Sequence, residues 1–183
     1  MKNLYCVIGP SGSGKTTVVE ALSRDHGLVS VESYTTRPPR YSGESGHIFV
    51  TDEAFDKLGE LCAFVEYNGY RYGVTTDILE KSDLYVIDPE GARYLQEHYR
   101  GDKVIYNIWL EANPKKLYQR MLDRGDSVEA ATARCEYDKK AFSAANKLKT
   151  MCYTPGLIIH TDLYSPNEVA KRVWQYIRSA EGI

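Results

Sequence analysis

One stretch near the start of the chain has residue types and a spacing that suit phosphate chemistry. Residues 9–16 read Gly-Pro-Ser-Gly-Ser-Gly-Lys-Thr and follow an apolar run that ends at Ile8. This is the pattern G-x-x-x-x-G-K-[ST] of a phosphate-binding loop. Its glycines let backbone N–H groups turn inward toward phosphate oxygens, and the positive end of the following helix favours the same anion. The stretch therefore predicts a nucleoside triphosphate site rather than a plain glycine-rich turn.

The members of this loop have separate expected roles. Lys15 is expected to reach the outer phosphates, and the Thr16 hydroxyl is expected to ligate the Mg²⁺ that bridges them. The residues expected to contact the triphosphate are Gly9, Pro10, Ser11, Gly12, Ser13, Gly14, Lys15, Thr16 and Thr17.

Two further groups of arginines separate a kinase from other users of such a loop. Arg37 and Arg40 flank a rigid double proline, so their guanidinium groups can clamp the phosphate of an acceptor bidentately. Arg120, Arg124 and Arg134 can balance the charge that develops during phosphoryl transfer. Arg120 and Arg124 are one helical turn apart beside Gly125, which allows either a mobile arginine lid or an ordinary solvated helix face.

The elements that must position these side chains alternate between strands and helices. This rhythm predicts an α/β domain with a largely parallel sheet, in which ligands bind at the carboxyl ends of the strands. The phosphate loop, Asp88 and His160 all fall at such ends. The segment from Thr35 to Gly73 breaks the rhythm with short strands and an Asn68-Gly69 hairpin signal, so it is interpreted as a small inserted lobe.

Hydrophobic periodicity and capping signals give the expected boundaries. Strands are predicted at residues 4–8, 28–32, 47–50, 62–66, 70–73, 84–87, 104–110 and 157–160. Helices are predicted after the phosphate loop and at residues 52–58, 76–81, 89–99, 114–122, 128–148 and from 166 onward. Residues 33–40 are expected to form an extended loop because of the two prolines.

Composition favours an ordinary globular domain of 183 residues with a net charge of −2. Nothing in this balance points to nucleic acid or a membrane surface, and the longest apolar run is too short to span a bilayer. The four cysteines have no Cys-x-x-Cys spacing, so reduced thiols in a cytoplasmic protein are expected and a zinc site is not. Residues 115–149 carry nine Lys or Arg and five Asp or Glu.

Several motifs together resemble the guanylate kinases, which are nucleoside monophosphate kinases. The block Ser33-x-Thr35-Thr36-Arg37-x-Pro39-Arg40 is more specific than the phosphate loop, and the pieces keep the family's order over nearly the whole chain. The other matching pieces are Gly43-Glu44, Phe49, Glu66, Tyr72-Gly73, Ile87-Asp88-x-x-Gly91 and Arg124-Gly125.

The resemblance implies a P-loop NTPase fold with three parts. A parallel-sheet core flanked by helices would comprise residues 1–33, 76–112 and 148–183. A small inserted lobe at about 34–75 would bind the monophosphate, and a helical lid at about 113–147 would close over ATP. The implied reaction is ATP + GMP ⇌ ADP + GDP, with dGMP also accepted, using ATP and Mg²⁺. Small-molecule nucleotides are the partners implied.

The resemblance also assigns the acceptor site residue by residue. Ser33, Arg37 and Arg40 would hold the acceptor phosphate. Glu66 and Asp88 match carboxylates that read the guanine edge, and acceptor-only groups suit the N1–H and amine donors of guanine. The full expected GMP set is Ser33, Arg37, Arg40, His47, Glu66, Tyr72, Thr75 and Asp88. The residues expected to act in transfer are Lys15, Arg37, Arg120, Arg124 and Arg134.

The chain departs from the family pattern mainly on the acceptor side. His47 stands where a phosphate-binding tyrosine is usual, and Val86 replaces the first of two carboxylates near Asp88. Val74 falls where a small hydroxyl residue is common, and Thr75 is its expected substitute. The connection between Glu66 and Tyr72 is about three residues shorter than usual. Without the resemblance, Glu66 would be interpreted as the polar face of an edge strand. Asp88 could be a helix cap before Pro89, but an acid at a strand end beside a phosphate loop favours a role with Mg²⁺ or substrate.

Two other functions stay open at this stage. One is a kinase of the same fold with a different (deoxy)nucleoside monophosphate as acceptor, which the departures favour. The other is a binding module related to the guanylate kinases that has lost catalysis, against which the intact Lys15-Thr16 pair and the lid arginines count.

Overall fold

This computed structural model describes residues 1–39, 41–67, 69–151 and 156–183 and leaves out the side chains of Lys149 and Met151. The strands in these ranges are β1 Asn3–Ile8, β2 Ser33–Thr35, β3 His47–Phe49, β4 Leu61–Tyr67, β5 Tyr70–Thr75, β6 Leu84–Val86, β7 Val104–Glu111 and β8 Gly156–His160. The helices are α1 Lys15–His26, α2 Asp52–Phe55, α3 Thr76–Glu80, α4 Pro89–His98, α5 Pro114–Asp123, α6 Val128–Ala141, α7 Ala144–Met151 and α8 Pro166–Glu181.

The first sheet is parallel and carries the hydrophobic core of the domain. Its strand order is β6-β1-β7-β8, and each neighbouring pair runs in the same direction. All six residues of β1 are buried, as expected for a central strand covered on both faces. The α/β fold with a parallel core, flanked by helices, is therefore confirmed.

Alternate residues of β1 contribute to two separate core clusters. Leu4 and Ile8 pack with Leu79, Leu95 and Trp109 on one face of the sheet. Tyr5 and Val7 pack on the other face, against side chains from α1 and α8 that include Leu22, Val173 and Ile177. This alternation follows from the pleat of the strand. Because β1 is packed on both faces, the phosphate loop that follows Ile8 begins from a fixed position.

The second sheet is smaller and mixed, with the order β3-β2-β5-β4. Strands β4 and β5 form an antiparallel hairpin in which Glu66 pairs with Arg71 and Val65 pairs with Tyr72. Asn68, part of the predicted hairpin signal, and Arg40 lie outside the described residues. One continuous stretch of chain, between the end of α1 and the start of β6, contains all four strands of the second sheet.

Two predicted segments differ from the structure around residues 28–40. The predicted strand at 28–32 is reduced to a bridge between Ser30 and Leu84. Its backbone still bonds to β6, since Val31 N–H donates to the Leu84 carbonyl at 2.8 Å. The expected extended loop at 33–40 instead begins with β2, because Ser33 to Thr35 pair with β3 and β5.

The long helix predicted over 128–148 is interrupted between α6 and α7. The Asn146 side chain donates to the carbonyls of Lys140 and Ala141, so it satisfies groups at the end of α6 that would otherwise have no partner. Phe142, at the break, packs edge-to-face on Trp109 with ring centroids 6.1 Å apart. Helix α2 also ends earlier than predicted, at Phe55.

The last helix begins as the sequence predicts. Ser165 Oγ accepts from the Glu168 backbone N–H, and the Glu168 carboxylate accepts from the Ser165 backbone N–H, which makes a capping box. No helix within the described ranges is long and apolar enough to cross a membrane.

Candidate active site

Backbone crowding at the phosphate loop explains two of its glycines. A Cβ on Gly9 would lie 2.4 Å from the Leu110 carbonyl oxygen, and one on Gly12 would lie 2.7 Å from the Leu117 carbonyl oxygen. Gly12 and Gly14 also have positive φ angles of 76° and 92°. Any side chain at these positions would strain the loop or push it away from β7 and α5.

The loop leads directly into the N-terminus of α1, and Lys15 is the first residue of this helix. No side chain among the described residues caps the helix, and no acidic residue lies in its first turn. Its N–H groups are therefore available to an anion. Lys15 Nζ donates to the carbonyls of Gly9 and Pro10 at 2.5 and 3.0 Å. Burial lowers the pKa of the Lys15 ammonium to about 8.

A cavity of 560 Å³ opens beside this loop, and we call it the phosphate-loop cavity. Its charged lining among the described residues is entirely cationic, which suits a polyphosphate. The residues that line it are Ser11, Gly12, Ser13, Gly14, Lys15, Thr16, Thr17, Val18, Arg120, Arg124, Arg134, Thr161, Tyr164, Pro166 and Val169. Gly9 and Pro10 do not line this cavity, and Pro10 instead lines a separate cavity of 840 Å³ beside α5 and α6.

Arg120 is tied to the loop and to the segment after β8. Its guanidinium donates to the Gly12 carbonyl at 3.2 Å and to both the hydroxyl and the carbonyl of Thr161 at 3.0 Å. Three bonds to fixed oxygens hold the charge in one position beside the loop. Arg120 therefore joins α5 to the phosphate-loop cavity.

Arg124 and Arg134 share one acidic partner, Asp126. Arg124 forms a two-point ion pair with Asp126 at 2.7 and 3.0 Å, and Arg134 Nε lies 3.6 Å from the same carboxylate. Asp126 lies between α5 and α6, and it pairs with Arg124 at the end of α5 and with Arg134 of α6, both of which line the cavity. Sequence reasoning did not assign this carboxylate a role.

The Thr16 side chain fits the oxygen donor that Mg²⁺ requires. It is exposed in the second position of α1 and lines the phosphate-loop cavity next to Lys15. No group of three His, Cys, Asp or Glu side chains that suits a metal occurs in the part of the chain that the structure describes. Such a hydroxyl can supply one ligand while phosphate oxygens and waters supply the others.

A second cavity, of 240 Å³, lies between the carboxyl ends of the first sheet and the second sheet. We call it the strand-end cavity. It shares Ser11, Lys15 and Arg134 with the phosphate-loop cavity, so the two cavities meet at the loop. The remaining lining residues are Gly9, Ser33, His47, Val65, Tyr67, Tyr72, Tyr85, Val86, Ile87, Asp88, Tyr137, Asp138 and Phe142.

Three of the expected acceptor residues come together at one wall of the strand-end cavity. Ser33 Oγ lies 2.9 Å from His47 Nδ1, which fixes the orientation of the imidazole. The rings of His47 and Tyr72 meet edge-to-face with centroids 5.7 Å apart. His47 pairs in register with Ser33 because β2 and β3 are parallel neighbours. This wall presents a hydroxyl, an imidazole and a phenol.

Asp88 lies on the opposite wall and has a structural role as well. Its Oδ1 accepts from the Gly91 backbone N–H at 2.6 Å, so it caps α4 as its position before Pro89 suggests. Burial raises the pKa of the Asp88 carboxyl, and the nearby N–H groups oppose this effect. The Asp88 side chain also lines the strand-end cavity.

Arg37 does not line the strand-end cavity in this structure. Its guanidinium forms a two-point ion pair with Glu44, at 2.7 and 3.2 Å, and both side chains are more than nine-tenths buried. It also lies over the Phe49 ring, 5.5 Å from the centroid. The expected clamp on the acceptor phosphate thus has one arginine held by an acid and the other, Arg40, outside the described residues.

Glu66 and Thr75 are also placed away from the strand-end cavity. Val65 and Tyr67 line the cavity, so the intervening Glu66 points to the other face of β4. There it is exposed beside Glu90 and Arg93 of α4 in a separate groove. Thr75 Oγ1 donates to Asp77 at the start of α3. The expectation that Glu66 reads a guanine edge conflicts with this geometry. Its position fits the alternative interpretation, an exposed polar residue on one face of an edge strand.

Helix α6 contributes residues that sequence reasoning missed. Tyr137 and Asp138 follow Arg134 by three and four positions, so all three lie on one face of the helix and line the strand-end cavity. The Tyr137 ring packs on Tyr67 of β4 with centroids 4.7 Å apart. Asp138 accepts from the Ser11 backbone N–H at 2.6 Å. Helical spacing from Arg134 was the signal that would have identified them.

Comparison with known proteins adds the family. A family model described as an AAA domain matches residues 6–139. The chain is 33% identical over 148 residues to a guanylate kinase of Pasteurella multocida (strain Pm70), a match that covers 72% of this chain and 70% of that protein. The chain belongs to the guanylate kinase family. The sequence-based assignment to this family is thus confirmed, and by family the protein is a phosphotransferase.

The chain is also similar to a protein with another named activity and to a solved structure. It is 34% identical over 142 residues to a protein of Thiobacillus denitrificans (strain ATCC 25259 / T1) named ribose 1,5-bisphosphate phosphokinase PhnN, which covers 72% of this chain and 73% of that one. The crystal structure of guanylate kinase from Anaplasma phagocytophilum matches with a TM-score of 0.63 and 24% identity. This match covers 97% of this chain and 85% of that one, and it supports the fold.

Proposed function

We propose that this protein transfers the γ-phosphoryl group of ATP to the phosphate of GMP, and of dGMP, giving ADP and the nucleoside diphosphate. The observation that carries the proposal is the meeting of two cavities at Ser11, Lys15 and Arg134. One cavity has a cationic lining suited to a triphosphate, and the other has a hydroxyl, aromatic rings and a carboxylate suited to a nucleotide. A phosphoryl group passing between them would cross the phosphate loop.

On the donor side, the loop N–H groups and the α1 N-terminus bind the ATP phosphates. Lys15 then exchanges its bonds to Gly9 and Pro10 for the outer phosphate oxygens. The Thr16 hydroxyl, with phosphates and water, holds Mg²⁺, which supplies charge neutralisation on the phosphates when bound. Arg120 is already fixed beside Gly12 to stabilise added negative charge.

On the acceptor side, positioning is the main task of the protein. Ser33, His47 and Tyr72 offer donors to the acceptor phosphate, and Arg37 and Arg40 are the proposed clamp, with Arg37 released from Glu44. An acceptor phosphate oxygen attacks the γ-phosphorus in line while the bond to the β–γ bridging oxygen breaks. Arg124 and Arg134 balance the charge that develops, so no side chain needs to act as a nucleophile.

These roles group into the three parts proposed from the sequence. The parallel sheet and its helices form the core, the second sheet holds the acceptor, and the arginine-bearing α5 and α6 act as a lid over ATP. Arg120 lies in α5, Arg124 directly after it and Arg134 in α6. All three line the phosphate-loop cavity, which supports this division.

A second candidate is transfer to a phosphorylated acceptor that has no guanine. The position of Glu66 outside the strand-end cavity favours it, because a carboxylate expected to select guanine is missing there. A relative named as a ribose 1,5-bisphosphate phosphokinase has an identity to this chain as high as that of the guanylate kinase. The small volume of the cavity, 240 Å³, also suits a compact acceptor.

A coupled assay of ADP formation distinguishes the two candidates. The purified protein is given ATP, Mg²⁺ and, in turn, GMP, dGMP, AMP, CMP, UMP, dTMP and ribose 1,5-bisphosphate. We expect the highest kcat/KM with GMP or dGMP. A higher value with any other acceptor contradicts the proposal, and a preference for ribose 1,5-bisphosphate establishes the second candidate.

Lys15→Ala tests in the same assay whether the phosphate loop serves the transfer, and Lys116→Ala is its matched control. Loss of the charge at the transferred group should lower kcat by at least about 100-fold. Lys116→Ala, which removes an exposed lysine of α5, should leave kcat within about twofold. Equal activity of the wild type and Lys15→Ala would mean that the loop does not serve phosphoryl transfer.

A further inference from the structure

The strand-end cavity requires a new account of how guanine is read, since Glu66 faces elsewhere. The Watson–Crick edge of guanine offers two donors, N1–H and the exocyclic amine, and one acceptor, O6. A selective site therefore needs a carboxylate and a donor. This inference rests on the proposed function with GMP.

The acidic side chains that line the cavity within the described residues are Asp88 and Asp138. Asp138 accepts from Ser11 N–H at 2.6 Å, so it faces the phosphate loop. Asp88 accepts from backbone N–H groups at the start of α4, and a carboxylate has about four lone-pair sites, so it can accept further hydrogen bonds from a ligand in the cavity. Asp88 is therefore the carboxylate available to the donors of guanine.

Tyr137 supplies a hydroxyl on the same side of the cavity. Asp88 and Tyr137 line the strand-end cavity together, and they also line the small cavity of 160 Å³ beside α4. The edge-to-face contact with Tyr67 fixes the Tyr137 ring, and its hydroxyl makes no hydrogen bond to any described residue. Burial raises the pKa of Tyr137 to about 12, so its hydroxyl remains a donor at neutral pH.

The family resemblance already implies that Asp88 accepts from N1–H and the amine of guanine. We propose that the Tyr137 hydroxyl donates to O6, so that two elements read the guanine edge together. Tyr67 supports the Tyr137 ring from β4. Tyr137 lies one turn after Arg134 on α6, so the helix that brings a transfer arginine also completes base recognition. Recognition of the base and charge placement are thereby coupled through one helix.

Tyr137→Phe tests the donor to O6 because it removes the hydroxyl and keeps the ring pair with Tyr67. The assay compares GMP with 6-thio-GMP, in which a sulfur that accepts hydrogen bonds weakly replaces O6. In the variant we expect kcat/KM for GMP to fall about tenfold while the value for 6-thio-GMP changes less than about twofold. The KM for ATP and the Tm should equal those of the wild type.

The matched control is Tyr118→Phe, which removes a hydroxyl from the half-buried tyrosine of α5 and should change neither substrate. Equal losses for GMP and 6-thio-GMP in Tyr137→Phe, or no loss for either, would overturn the inference while leaving the proposed function intact. A wild-type enzyme that does not use GMP would overturn the proposed function and this inference together.

Discussion

At the scale of single residues, the buried pair of Arg37 and Glu44 joins stability to the acceptor site. The two side chains are 9% and 6% exposed, and Glu44 is the largest cause of the raised pKa of Arg37. Removing one partner from a buried ion pair leaves the other charge in a poorly solvating environment, which costs more than the pair contributes. Glu44 therefore holds the Arg37 guanidinium in place, and in the proposed function an acceptor phosphate would replace it.

Glu44→Gln is expected to lower the free energy of unfolding by about 3 kcal/mol, because it leaves the Arg37 guanidinium buried without its counter-charge. Urea unfolding followed by fluorescence of the two tryptophans measures this change. Glu60→Gln, in an exposed position before β4, is the control and should change the value by less than about 0.5 kcal/mol. A loss below about 1 kcal/mol in Glu44→Gln would show that the pair is not a stabilising one.

The candidate site was only partly predictable at this scale. The phosphate loop was recognisable because its glycine spacing is a local backbone requirement, as the positive φ angles of Gly12 and Gly14 show. The direction of Glu66 was not, because it depends on which residues of β4 pair with β5. A change of one residue in that pairing turns every side chain to the opposite face.

At the scale of elements, α6 connects to three parts of the site. Its residues contact Asp126, the phosphate loop and β4 through Arg134, Asp138 and Tyr137 respectively. The Asp138 carboxylate occupies a backbone N–H of the loop and adds a negative charge beside Lys15, as its influence on the Lys15 pKa indicates. A triphosphate entering the loop must therefore compete with Asp138.

Asp138→Asn is expected to tighten ATP binding by about threefold to tenfold, because it removes this charge from the path of the phosphates. Isothermal titration calorimetry without acceptor measures the Kd. The control is Glu136→Gln, which removes an exposed charge from the same helix. Weaker ATP binding in Asp138→Asn than in the control would mean that the carboxylate supports the loop instead of competing with its ligand.

Element boundaries show where local sequence is sufficient and where it is not. The capping box at Ser165 and Pro89 at the start of α4 were predictable from neighbouring residues alone. The break between α6 and α7 was not, since it depends on packing of Phe142 against Trp109, about 33 positions earlier in the chain. Similarly, β2 exists because β3 and β5 pair with it.

At the scale of the whole molecule, two sheets meet across the site. The parallel order of the first sheet could be predicted as a class from alternating elements, while the mixed order of the second could not, because short strands carry little pattern. The phosphate-loop cavity and the strand-end cavity share the lining residues Ser11, Lys15 and Arg134. If the first binds the donor and the second the acceptor, as proposed, we expect one linked ligand to fill both.

A ligand with adenosine and guanosine joined through five phosphates should raise the Tm by more than the summed shifts of ATP and GMP at equal concentration. The second binding event becomes intramolecular when the two nucleosides are linked. Binding about 100-fold tighter corresponds to about 2.7 kcal/mol and, for a chain of this size, a further rise of about 5–10 °C.

The corresponding ligand with two adenosines is the control for this thermal-shift measurement, and its shift should be smaller. A shift with the mixed ligand no larger than that with ATP alone would mean that the two cavities cannot be filled together.

The second sheet has a consequence for how new specificities arise in this family. It is formed by one uninterrupted stretch of chain, residues 33–75, so recombination between related genes can replace it in a single piece. Such an exchange would bring in new contacts to the acceptor phosphate but would leave Tyr137 behind on α6. Recombinants that gain a different acceptor should therefore recover full activity only after a second substitution at residue 137.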